Sequence, residues 1–202
     1  MSTLPPSGPA AAVHLTTVVR LPATVTAALA PTLDRLRALG PRHHYYPPET
    51  MHVTVQNLDA LAPAAAPPRR PGGPTPLPDG LAELVAARAP FRLAVRGLGV
   101  APGAVFALAL AGDATMASLR AGLAGLAGGH NRGRPGRGLG HANLVRFSGP
   151  VTAGFLAELA RLRRQDFGTF TVDEVELVRT DRLLSPEGTT TLGRLRLEGR
   201  AG

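Results

Sequence analysis

The sequence contains no cysteine and no tryptophan, and every basic residue is arginine, with no lysine. The lack of cysteine excludes disulfides, thiolate zinc sites and a cysteine nucleophile together. With aromatics at only 4%, a core has to be built from Leu, Val and Ala side chains. No apolar run reaches the roughly 18 residues of a membrane span. The opening stretch, 1–12, also lacks the basic residues and apolar core of a secretory leader. These absences lead to the expectation of a cytoplasmic protein without membrane contact. Gly-x-Ser-x-Gly, His-Glu-x-x-His and the Walker phosphate loop are missing too, and Gly97-Leu98-Gly99 lacks the third glycine of a dinucleotide fingerprint.

At 202 residues and 44% hydrophobic, the chain suits one large domain or two closely packed lobes. The net charge of +8 and pI near 11.5 favour polyanionic partners such as nucleic acid or nucleotides. Arginine in place of lysine, beside abundant Ala, Gly and Pro, is also what a GC-rich coding genome produces. The placement of the arginines is therefore more telling than their number.

Alternation and β-branched residues predict strands over 13–20 and 51–58. Between them Thr24 is placed to cap a helix carrying Val25, Leu29, Leu33, Leu36 and Leu39 at helical spacing, stopped by Gly40 and Pro41. Residues 62–80 read as a Pro-rich surface loop, after which Asp79 would cap a short helix over 81–89. Strands follow over 91–99 and 104–110, then a helix over 114–127, a Gly- and Arg-rich loop over 128–140, a strand over 141–147 and a helix over 152–164. Two closing strands, 170–179 and 190–197, are joined through the turn Ser185-Pro186-Glu187-Gly188. Strand, helix, His-bearing strand, helix and strand thus occur twice, as in a duplicated lobe. The expected layout is a tail over 1–12 and one domain over 13–199, with halves of about 13–103 and 104–199.

In His52-Val53-Thr54-Val55 a period of two puts His52 and Thr54 on one face and the valines on the other. His141-Ala142-Asn143-Leu144 repeats the arrangement. Two such polar faces meeting across a groove suit phosphodiester chemistry. Imidazole serves as acid or base near neutral pH. The Thr54 hydroxyl and Asn143 amide can donate to non-bridging phosphate oxygens, where charge grows in the transition state.

The pair of motifs resembles the two-histidine phosphoesterases, which include bacterial 2′-5′ RNA ligase and RNA 2′,3′-cyclic phosphodiesterase proteins. The first copy is Pro48-Glu49-Thr50-Met51-His52-Val53-Thr54-Val55, continuing through Gln56-Asn57-Leu58, and the second is His141-Ala142-Asn143-Leu144-Val145-Arg146. The likeness extends from Val13 to the closing strands. It implies a bilobal α/β fold of the α+β type, with two pseudo-symmetric lobes of mostly antiparallel sheet flanked by helices around a central cleft. It implies His52 and His141 as the catalytic pair, with Thr54, Asn143 and Arg146 binding phosphate. Asn143 departs from the family's Thr or Ser. The implied activity needs no cofactor or metal: hydrolysis of 2′,3′-cyclic phosphate ends of RNA or small nucleotides by a monomer, together with reversible 2′-5′ joining. The alternative is a weakly active or inactive RNA- or nucleotide-binding protein that keeps the groove.

Several other residues carry weaker signals. His14-Leu15-Thr16 also spells the motif but lies in the opening strand, where a structural role is expected. His43 and His44 point apart on an extended chain and no carboxylate completes a ligand set. Tyr45 and Tyr46 could stack a base or anchor their Pro-rich loop. Arg132, Arg134 and Arg137, just before His141, could guide a phosphate backbone or be merely solvated. Arg161, Arg163 and Arg164 suit a helix C-terminus.

Overall fold

A computed structural model describes residues 14–59, 77–128, 139–181, 185 and 187–199. In chain order the elements are β1 (His14–Arg20), α1 (Ala23–Leu39), β2 (His44–Tyr45), a 3₁₀ turn (Pro48–Thr50), β3 (His52–Asn57), α2 (Leu81–Ala86), β4 (Phe91–Ala101), β5 (Ala104–Ala111), α3 (Thr115–Leu126), β6 (Leu139–Arg146), α4 (Ala153–Leu162), β7 (Asp166–Val172), β8 (Glu174–Thr180) and β9 (Thr190–Arg196). The expected tail, most of the Pro-rich loop and most of the Gly- and Arg-rich loop lie outside the described residues.

All strand pairs are antiparallel and form two sheets, ordered β3-β1-β8-β9 and β2-β6-β5-β4-β7. The apolar face of each sheet needs a cover, and the helices supply it crosswise. α1 leaves β1 of the first sheet yet packs on β7 of the second, beside α4. α3 leaves β5 of the second sheet yet packs on β3 of the first, beside α2. One continuous aliphatic core results, running from Val19, Val53 and Leu177 to Val95, Ala107 and Leu144. The expected boundary near residue 103 does not separate the sheets, because β4 and β5 on either side of it are neighbours.

Local expectations are corrected at several points. Thr24 lies inside α1. Pro22 is the N-cap residue, and its carbonyl accepts from the N–H groups of Val25 and Thr26. Gly80, at φ 73°, precedes α2 in place of an Asp79 cap, and the helix stops at Ala86, short of Pro90. The single strand expected over 170–179 is two strands that part at Asp173 and belong to different sheets. The two-residue β2 is too short to show a period.

Thr152 caps α4, its hydroxyl accepting from Phe155 N–H at 3.2 Å. Phe155 is fully buried and meets His43 edge-on at 5.4 Å. Thr152→Ala is expected to lower stability by about 1 kcal/mol, read as the shift in the urea midpoint.

Candidate active site

His52 opens β3 opposite Arg20 of β1, and Thr54 lies opposite Val18. Residues facing each other in an antiparallel pair share a sheet face. His52, Thr54 and Arg20 therefore stand together on the face turned away from the buried Val53 and Val55. Thr54 is exposed, whereas His52 is only 6% exposed. The His52 Nδ1 lies 2.7 Å from the Thr50 carbonyl. A carbonyl only accepts, so Nδ1 carries the hydrogen and the neutral ring keeps its lone pair on Nε2.

On β6, His141 lies opposite Leu108 and Asn143 opposite Phe106. The register then slips by one residue, so that Arg146 lies opposite Ala104. Ala104, Phe106 and Leu108 alternate on one face of β5, which puts His141, Asn143 and Arg146 on one face as well. The bulge at Leu144 accomplishes this: Leu144 and Val145 both enter the core, and Arg146 turns outward beside the motif. The His141 ring meets Phe106 at 5.3 Å.

The two motif strands belong to different sheets and lie side by side along a seam. Gly140, immediately before His141, makes the close approach possible: a Cβ there would stand 2.5 Å from Val53 Cγ1 and 3.0 Å from Met116 Cε. Arg120 of α3 reaches into the same seam. Both imidazoles are held below the ordinary value of 6.5. For His52 the main cause is burial, opposed by the Thr50 hydrogen bond and reinforced by the charges of Arg20 and His141. For His141 it is burial, followed by the charge of Arg120. The rings are thus near enough for a proton on one to weigh against a proton on the other.

Arg20 is held from behind. Its Nε–H donates to Glu176 Oε2 at 2.9 Å, and Arg194 approaches Glu176 Oε1 at 3.3 Å. The carboxylate is only 8% exposed and fixes Arg20 next to His52. A family model of the 2′-5′ RNA ligase superfamily matches residues 25–183, a span that contains both motif strands. The chain belongs to this superfamily.

Solved structures agree on the fold. TT0787 of Thermus thermophilus is 28% identical with a TM-score of 0.65, over 93% of this chain and 100% of that one. LigT of E. coli in complex with phosphate is 17% identical with a TM-score of 0.56, over 91% and 96% of the two chains. LigT in complex with 3′-AMP is 14% identical with a TM-score of 0.59, over 92% and 98%. No curated protein matches the sequence.

Within this superfamily fold, the remaining residues singled out from sequence divide clearly. Tyr46 is 4% exposed and its hydroxyl accepts from Arg146 Nε at 3.4 Å. Tyr45 donates to the Gly40 carbonyl while Arg37 covers its ring. Both tyrosines anchor their loop, one of the two roles expected for them. Arg132, Arg134 and Arg137 lie outside the described residues. His14 is bound to Asp59 at 2.8 Å, and His43 is buried against Phe147 and Phe155. Among the described residues, no group of three His, Asp or Glu side chains is placed to hold a metal, and no helix is long and apolar enough to cross a membrane. Arg20, Phe106, Arg120 and Gly140 carry no motif, and sequence reading passes over all four.

Proposed function

We propose that this superfamily member hydrolyses 2′,3′-cyclic phosphate ends of RNA or of small nucleotides without a metal, and that 2′-5′ joining is the same ring opening with a 5′-hydroxyl in place of water. The observation that carries the reading is the seam itself, where His52 and His141 meet from separate sheets with Thr54 and Asn143 beside them. Among the described residues the Thr54 hydroxyl and the Asn143 amide make no hydrogen bond, so both are available to an incoming anion. The LigT complexes with phosphate and 3′-AMP support a phosphate or nucleotide ligand on this fold.

In the proposed reaction His52 is the base. It is the more enclosed ring, and its Nε2 lone pair takes a proton from water as the oxygen attacks phosphorus. His141, more open to solvent, gives its proton to the departing ribose oxygen as the P–O bond breaks. Thr54, Asn143, Arg146 and Arg20 hold the phosphoryl oxygens. Phe106 and Leu108, half-buried on the open face beside His141, provide an apolar rest for a base.

The test is incubation with 2′,3′-cyclic AMP and with a cyclic-ended oligonucleotide, followed by detection of the phosphomonoester. Multiple turnovers without added metal are expected. Asn143→Thr should raise kcat/KM by about fivefold, the worth of roughly 1 kcal/mol from one better-placed hydrogen bond. Binding without any monoester, and without gain from Asn143→Thr, would instead make the chain a nucleotide-binding relative that has lost the chemistry.

A further inference from the structure

We propose that Arg120 is a positioning residue of this site, its guanidinium tying the two histidine strands together and setting the spacing of His52 and His141. The inference rests on the phosphodiesterase reading above. Its basis is geometric. Arg120 Nε donates to the Val55 carbonyl at 3.0 Å, Nη2 to the Thr54 carbonyl at 3.2 Å and Nη1 to the Leu139 carbonyl at 2.7 Å. Thr54 and Val55 belong to the first motif strand, and Leu139 stands two residues before His141 on the second.

Consecutive carbonyls of a regular strand point to opposite edges. Here the extra residue of a bulge, Val55, lies between Thr54 and Gln56, and both carbonyls reach the same guanidinium. β3 and β6 are not ladder partners, so the spacing of the rings is not set by sheet hydrogen bonds. Gly140 permits the approach from one side, and Arg120 holds it from the other. Only a planar fork of donors spans acceptors on two strands in this way, which a lysine ammonium does not.

Arg120 also forms no ion pair with a carboxylate among the described residues, although it is half-buried. Its charge is therefore uncompensated beside the site. Among the described residues, the charged or titratable groups around His141 are Arg120 from α3, His52 from β3, Arg20 from β1 beside His52, and Arg146 further along β6, while β5 brings Phe106 and Leu108. Arg120 opposes the His141 proton and makes that imidazolium the stronger acid.

The experiment compares Arg120→Met and Arg120→Lys with the unaltered protein in 2′,3′-cyclic AMP hydrolysis and in an NMR titration of the His141 ring. Arg120→Met should lower kcat about 100-fold, the cost of misplacing reacting groups by about 1 Å, with KM changed less than about threefold. The His141 titration and the alkaline limb of kcat/KM should both move to higher pH, because a positive neighbour is gone. Arg120→Lys should return the titration towards its original position while kcat stays at least about tenfold low. Turnover within about twofold in either variant overturns the proposal, as does an unmoved His141 titration in folded Arg120→Met. If Arg120→Met does not fold, the turnover of Arg120→Lys decides. Should the unaltered protein show no hydrolysis, the functional reading fails, and the His141 titration still decides whether Arg120 acts on the ring.

Discussion

Replacing His52 or His141 with alanine is expected to lower turnover of 2′,3′-cyclic AMP by about 10²- to 10⁴-fold, the range that a general acid or base contributes. The double replacement should cost little more than either single one, since an acid and a base acting in one step are lost as a unit. His141 is exposed, and His52 lies at the rim of β3 with the apolar Val53 and Val55 intact behind it, so both variants should keep their far-ultraviolet circular dichroism. The pH dependence carries a sign. Both imidazoles sit below 6.5. At low pH both rings are protonated and no base remains; at high pH both are neutral and no acid remains. The bell in kcat/KM, which reports the free enzyme, is therefore expected to be centred on the acid side of about 6.5. An optimum well above neutrality would remove the imidazole pair from the mechanism.

The second large effect is expected at Gly140. Gly140→Val places a branched side chain where Val53 and Met116 already stand. Overpacking of this kind costs about 1–3 kcal/mol. The strain is relieved most simply by moving β6 away from β3, which separates the rings and lowers kcat by about 100-fold. Thermal unfolding and steady-state kinetics measure the two losses separately. Pairing Gly140→Ala with Val53→Ala frees space at the contact, and the pair should recover activity relative to Gly140→Ala alone, a positive coupling in a double-mutant cycle. Equal activity in Gly140→Val and the unaltered protein would mean that the seam tolerates a wider gap.

The parts legible in the sequence are those governed by local periodicity. The two-residue alternation around His52 and His141 puts each ring and its polar partner on the strand face where the fold has them, and the apolar spacing from Val25 to Leu36 marks the buried stripe of α1. What escapes depends on contacts far apart in the chain. Arg120 sits in a helix where an arginine reads as a solvated residue; its partners lie in strands on either side of it in sequence. The run through Asp173 is β-rich throughout, and nothing local announces that the chain changes sheets there. Tyr46 is buried because Leu144 accepts from its backbone and Arg146 caps its hydroxyl, both about a hundred residues away.

The central place of β1 also bears on how the molecule is made. This first strand pairs with β3 on one edge, but its other edge is completed only by β8. A growing chain therefore carries an open strand edge through most of its synthesis, with α1 awaiting a platform, β7, that emerges just as late. Fragments ending before β8 lack a finished first sheet, so the protein does not divide into a folded amino-terminal half and a dispensable remainder. Cleavage competence should appear abruptly with the last strands, and a stalled or truncated chain should be a client of holding chaperones with no partial enzyme activity.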